Sequence, residues 1–227
     1  MKNKVLVVIA HADDEAIGCG GTLIKHRNAG DEVRIIFMTN GVSARNNTKE
    51  RQIQKRLKAQ ENCCRQLNIV DYYNFDFPDN KMDSVALIEV IKCIEEVIEN
   101  YPTNIVYTHH GGDLNIDHQV VHRAVITAAR PTPSSTVNKI LTFEVNSSTE
   151  WSNENIGSNF TPTYFVDISQ ELKEKETLLA HYEEEMLPYP HSRSITAILN
   201  SNKVRGSSVG LPAAEAFTLI RALVSNM

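Results

Sequence analysis

The sequence predicts an α/β fold built on a mostly parallel sheet, and three observations predict it. Short apolar, β-branched runs alternate with longer segments of helical period along the chain. The first run, residues 5–10, is apolar at every position, as in a strand covered on both faces. That run empties at once into His11, Ala12, Asp13, Asp14 and Glu15, a polar cluster placed where open α/β sheets hold their ligand crevices.

The remaining elements follow in order. Residues 16–28 carry a helical pattern that closes at Gly30, a residue suited to a helix C-cap. Residues 33–38 are a second apolar strand, again with a polar end in Thr39, Asn40 and Gly41. A charged, glutamine-rich helix spans about 48–67, with Thr48 as its N-cap. Residues 71–77 form a short aromatic strand stopped by Pro78. Residues 84–99 are an amphipathic helix whose apolar face carries Val85, Ile88, Ile91, Ile94 and Ile98. A fourth strand over 104–108 runs into the polar stretch 109–118, and a helix continues over 118–129, closed by Arg130 and Pro131. Residues 139–144 and 164–168 read as further strands. The remainder reads as helical over 170–185, 192–205 and 212–224, with loops at Pro188, Pro190 and 206–210. No repeat, low-complexity tract or linker interrupts the pattern, so residues 1–227 read as one domain.

Composition narrows the function classes. With 227 residues and 41% hydrophobic content, one α/β domain can build a full core. A net charge of −5 offers no basic surface for nucleic acid. No apolar run reaches the roughly 18–20 residues of a membrane span. The six-residue apolar run near the N-terminus is too short for a secretory leader, which points to a cytoplasmic protein. Cys19, Cys63, Cys64 and Cys93 contain no Cys-x-x-Cys pair, which disfavours a cysteine zinc site or a disulfide framework. Many enzymes of this size form symmetric homo-oligomers.

Two clusters carry the chemistry. Acids at 13–15 would by themselves suit a helix N-terminus, but that does not account for a histidine held at the end of a buried strand. Burying several acids without a partner is expensive, and His11 with Asp14 three residues on can share a cation. Imidazole nitrogen and carboxylate oxygen both suit zinc. The second cluster, Asp117 and His118 with His122 four residues later, opens a helix at the mouth of another strand. Histidines at i and i+4 share a helix face, although surface histidines on a solvated helix would look the same. His11, Asp14 and His118 supply the three protein ligands that a catalytic zinc uses. Gly18, Gly20 and Gly21 depart from the dinucleotide fingerprint, because residue 23 is Leu and the acids precede them; they read instead as close helix–sheet packing.

The runs His11-Ala-Asp-Asp-Glu15 and Asn115-Ile-Asp-His118, each after a strand and in this order, resemble the two motifs of the LmbE-like or PIG-L family of zinc-dependent N-deacetylases. The likeness extends to Thr39-Asn40-Gly41, to Arg205-Gly206 and to the run from Ala214 to Phe217. It implies a Rossmann-like three-layer α/β sandwich with its site at the strand carboxyl ends. It makes His11, Asp14 and His118 zinc ligands, Asp13 the general base, and Asp117 an orienting acid beside the ligands. It also implies an N-acetylated amino sugar or sugar conjugate as substrate, with acetate and a free amine as products. Similar proteins act on N-acetylglucosamine joined to inositol, malate, lipids, nucleotides or oligosaccharides.

Two positions depart from the family pattern. Ala12 replaces the usual proline, which loosens the loop. Asn115 stands where many members carry a histidine that supports the oxyanion; an amide donates a hydrogen bond but not a proton. His110 and His191 are the candidates to take over that task, His191 also reading as a loop residue near a helix start. Arg45 and Arg193 are candidate grips for a hydroxyl, carboxylate or phosphate, or ordinary surface arginines. Trp151 is a candidate platform for a sugar face, or a loop anchor. Two rivals remain: a magnesium-dependent phosphohydrolase, against which histidine ligation argues, and a carbohydrate-binding relic that keeps the fold without turnover.

Overall fold

The computed structural model describes residues 2–41 and 50–224. Its first strand, β1 (Lys4–Ile9), is buried on both faces, because successive side chains of a strand point to opposite sides. Val5, Val7 and Ile9 enter one apolar core, and Leu6, Val8 and Ala10 enter the other. The first core is shared with α1 (Asp14–Ala29), α2 (Glu50–Gln66), α5 (Leu172–Ala180) and α6 (Ile195–Ser207). The second is shared with α3 (Leu87–Asn100) and α4 (Ile116–Ala128). Helices therefore cover both faces of one sheet, the three-layer arrangement that the sequence predicts.

The sheet has seven strands in the order β3-β2-β1-β4-β5-β7-β6. Here β2 is Glu32–Thr39, β3 Asp71–Phe77, β4 Ile105–His109, β5 Lys139–Phe143, β6 Tyr164–Asp167 and β7 Ala214–Ala222. Strands β1 to β5 are parallel, and β7 runs antiparallel between β5 and β6. The chain winds outward from β1 to β2 and β3, then returns to place β4 on the other side of β1. That reversal opens a crevice at the carboxyl ends of β1 and β4, the segments that end in His11 and in residues 109–118.

Several expectations shift at their edges. Helix α4 starts at Ile116 because Asn115 caps it, its side-chain oxygen accepting from the Asp117 amide at 2.8 Å. Ser194 caps α6 by accepting from the Ala197 amide at 3.1 Å. Gly30 closes α1 in the left-handed region (φ 73°), as its sequence position predicts. The helix expected over 170–185 stops at Ala180 and is followed by a 3-10 turn at Glu183–Glu185. The Thr48 cap lies outside the described residues.

One expectation is wrong. Residues 212–224 are rich in helix formers, yet the structure places β7 there. Phe217 pairs in register with Phe143 of β5 and with Tyr164 of β6, so the segment bridges two strands that would otherwise be separate. Tertiary pairing overrides the local preference. Its Glu215 is buried against Lys175, 2.6 Å away, and accepts from the amides of Gly21 and Thr22. Lys175 also donates to the Ile17 carbonyl at 2.8 Å. These bonds occupy backbone groups around Cys19, where α1 leaves helical geometry (φ −144°). The glycines before and after the break serve close packing: a methyl group on Gly18 would stand 2.1 Å from the Phe143 ring. Among the described residues no helix is long and apolar enough to cross a membrane.

Candidate active site

The turn after β1 places three side chains in one loop. Asp13 adopts φ 134°, a region that costs a non-glycine residue about 1–3 kcal/mol. Surrounding bonds hold it there. Its amide donates to Glu15 Oε2 at 3.0 Å, and Glu15 Oε1 accepts from the Tyr182 hydroxyl at 2.5 Å. Burial pushes Glu15 up to about 7. Asp14 turns back so that its Oδ2 accepts from the His11 amide at 2.9 Å.

From the other side of the crevice, the first turn of α4 brings in His118. Three atoms then meet: His11 Nδ1, Asp14 Oδ2 and His118 Nε2. Their separations are 3.4 Å, 3.4 Å and 3.3 Å. Donors held about 2.0–2.2 Å from a tetrahedral zinc lie roughly 3.3–3.6 Å from one another, so the spacing fits that ion. The chemistry of the set, two imidazoles and a carboxylate, fits it as well. Asp14 Oδ1 is buried and has no hydrogen-bond partner among the described residues.

The far side of each of the two imidazoles is held. His118 Nδ1 lies 3.1 Å from Asp113 Oδ1, and Asp113 also accepts from the Thr149 hydroxyl at 2.5 Å, the Ser148 hydroxyl and the Asn115 amide. His11 Nε2 lies 3.2 Å from Asp117 and 3.3 Å from Asp79. Asp117 accepts from the amides of Asn80 and Met82, so it ties the loop after β3 to α4. Those carboxylates clamp the His11 ring and form a second cluster of possible ligand atoms. His109 stacks flat on His118 with centroids 3.9 Å apart, and its Nε2 accepts from the Ala10 amide.

Electrostatics match this geometry. Burial disfavours the His118 cation, but Asp14 and Asp113 outweigh it and raise the ring to about 9. Burial likewise opposes charge on His11, which Asp117, Asp14 and Asp79 hold well above its ordinary value. Asp14 goes the other way: burial would raise it, and His118, His109 and His11 pull it well down. Asp113 falls to about 2 against the cost of burial, mainly through His118. His109 is pushed well down, first by burial and then by the neighbouring His118. The cluster holds positive charge in place, which a bound cation would replace.

The Asp13 carboxylate meets two guanidinium groups. Its Oδ2 lies 2.6 Å from Arg193 and its Oδ1 lies 3.3 Å from Arg56. Arg56 also pairs with Glu185 at 2.5 Å. A cavity of about 460 Å³ opens over the cluster, with His11, His118, Asn80, Asn115, Arg56 and Arg193 in its walls. Asn115 has its oxygen committed to the helix cap, and its amide nitrogen donates to Asn80 Oδ1 at 3.1 Å.

Other expected residues stand further off. His110 donates to the Ser158 carbonyl at 2.7 Å and meets Phe160 edge-on. His191 accepts from the Arg193 amide and meets Trp151 edge-on at 5.6 Å, with Trp151 about half exposed. His122 donates to the His109 carbonyl, with burial lowering its pKa, and is absent from the ligand clusters among the described residues. Arg45 lies outside the described residues. Asp79, Asp113, His109 and Arg56 had no place in the sequence reading. Asp79 and Asp113 each follow a strand end, the positional signal that singled out His11; Arg56 lies on a polar helix, where nothing in the sequence marks it.

A mostly parallel sheet with a buried His/Asp cluster at its topological switch defines a class of α/β proteins with a candidate metal site. The PIG-L model (GlcNAc-PI de-N-acetylase) matches residues 6–129, more than half the chain, and the protein belongs to that family. It is 27% identical over 175 residues to the uncharacterized deacetylase YaiS of Escherichia coli K12, covering 75% of this chain and 84% of that one. It is 30% identical over 142 residues to a probable N-acetyl-alpha-D-glucosaminyl L-malate deacetylase 2 of Bacillus cereus, covering 59% of this chain and 64% of that one. Among solved structures, the N,N'-diacetylchitobiose deacetylase of Pyrococcus horikoshii superposes with TM-score 0.75 at 19% identity, covering 96% and 84% of the two chains. The 4-carboxy-2-hydroxymuconate hydratase GalB of Pseudomonas putida superposes with TM-score 0.77 at 19% identity, covering 100% and 99%. The fold thus hosts more than one reaction, and the residues of the site, not the fold, decide which.

Proposed function

We propose that this protein is a zinc-dependent N-deacetylase that removes the acetyl group from an N-acetylated amino sugar or sugar conjugate. The observation that carries the reading is the tetrahedral spacing of His11 Nδ1, Asp14 Oδ2 and His118 Nε2 at the floor of an open cavity. Family membership and the names of its relatives support the deacetylase chemistry and the sugar-type substrate. The two imidazoles in the donor set favour zinc over magnesium, which prefers oxygen ligands. Four free cysteines suit a reducing compartment such as the cytoplasm.

His11, Asp14 and His118 would hold the ion, with Asp113, Asp117 and Asp79 fixing the two rings. Bound zinc supplies Lewis-acid polarisation of the amide carbonyl and makes the attacking water more acidic. Asp13 takes the proton of that water as it bonds to the carbonyl carbon, and returns it to the amine as the C–N bond breaks. Its strained backbone, clamped through Glu15 and Tyr182, holds the carboxylate beside the ligands without letting it become one.

Metal content and acetate release test the reading together. Protein purified without a histidine tag should carry about one zinc per chain and release acetate from N-acetyl sugars. Asp13→Ala should keep the metal and lose turnover, whereas His118→Ala should lose the metal. Protein that takes up no zinc would overturn the proposal.

A further inference from the structure

Arg193 and Arg56 both contact Asp13, but their surroundings differ. Arg56 is buried and has a second acid, Glu185 at 2.5 Å. Arg193 lines the cavity with its side chain 21% exposed, and its other polar contact is the neutral Ser147 hydroxyl at 3.1 Å. Asp13 is therefore the one carboxylate within ion-pair distance of Arg193 among the described residues. Among the described residues at the cavity, Asn115 is committed to its helix and Asn80, and His11 and His118 are committed to each other and to acids.

The deacetylation proposed above, on which this inference rests, moves one negative charge. A water proton passes to Asp13, the water oxygen bonds to the amide carbon, and the carbonyl electron pair becomes an oxyanion. Asp13 is then neutral. Arg56 still has Glu185, while Arg193 has lost its counter-charge as a new one forms in the cavity it lines. We propose that Arg193 is a catalytic residue that exchanges the Asp13 carboxylate for the oxyanion of the tetrahedral adduct. When the C–N bond breaks, the Asp13 proton passes to the amine, the oxyanion pair re-forms the carbonyl, and Arg193 returns to Asp13. A guanidinium stays charged throughout, so its attraction to the adduct exceeds its attraction to the neutral amide, and that difference lowers a barrier.

Methylphosphonate, a tetrahedral anion, tests the exchange without turnover. Calorimetric titrations would use zinc-loaded wild type, Asp13→Asn, Arg193→Gln and the double variant, with zinc stoichiometry showing that each site is folded. Asp13→Asn frees the guanidinium and should tighten methylphosphonate binding about tenfold, the scale of one charge-assisted hydrogen bond. In the Arg193→Gln background that gain should nearly vanish. An equal gain in both backgrounds would overturn the assignment while leaving the deacetylase reading intact. Failure of wild type to take up zinc would overturn both.

Turnover of N-acetylglucosamine gives a second readout. Arg193→Gly should lose about 10²-fold in kcat with little change in KM, and added guanidinium should restore part of it. A loss confined to KM would mark Arg193 as a substrate grip and overturn the exchange.

Discussion

Asp113 offers a sharp test of how the site is held. Its carboxylate gathers four donors, and its partner on the ligand side is His118 Nδ1 at 3.1 Å. Asp113→Asn keeps the shape: the amide oxygen can take the Oδ1 place that faces His118, the Ser148 hydroxyl and the Asn115 amide, and the amide nitrogen the Oδ2 place, where the Thr149 hydroxyl can accept as well as donate. What disappears is the charge. Removing such a partner from a ligating histidine costs about 10–100-fold in metal affinity, or roughly 1.4–2.7 kcal/mol. The metal-free protein should weaken too. Asp113 falls from an ordinary 3.8 to about 2 in the folded protein. A depressed carboxylate contributes stability above its unfolded pKa and loses it as pH falls through the folded one, so at neutral pH the term is about 2 kcal/mol. Zinc titration against a chromophoric chelator measures the first quantity, and urea unfolding without metal measures the second. Wild-type zinc affinity in a folded Asp113→Asn protein would refute the orienting role. A loss of stability alone would reduce Asp113 to a loop anchor.

Two further predictions concern the scaffold. Lys175→Met strands Glu215 as a buried, unpaired acid and should cost about 3–5 kcal/mol, a fall in melting temperature of about 10 °C; adding Glu215→Gln should recover part of it, and a cost under about 1 kcal/mol would count against the pair's role at the α1 break. Glu15 has a folded pKa of about 7 against an ordinary 4.5, so folding favours its protonated form and stability falls as pH rises between those values, by about 3 kcal/mol in all. Glu15→Gln should flatten that slope in urea unfolding measured at several pH values, and an unchanged slope would place the burial cost elsewhere.

Much of the architecture was legible because it is periodic. The apolar runs of β1, β2 and β4 mark central strands, and the face of α3 marks a helix laid on the sheet. The stretch from Ala214 to Ala222 was not legible, because its helix-forming residues become a strand only between β5 and β6. Local preference is worth tenths of a kcal/mol per residue, and pairing on both edges exceeds it.

The site divides along the same line. His11, Asp14 and His118 could be read from the chain because each lies at a strand end or helix start, where backbone geometry alone points side chains into the crevice. Asp79, Asp113 and Asp117 show that the same rule reaches the supporting acids once the loops are folded together. Arg56 and Arg193 could not be placed from the sequence. They meet Asp13 across 43 and 180 residues of chain, a distance that only the packing of α2 and of the loop before α6 against the β1 turn can close. The sequence by itself determined the donors. Tertiary structure decided which charges surround them, since Coulomb energy depends on separation and burial that local pattern does not carry.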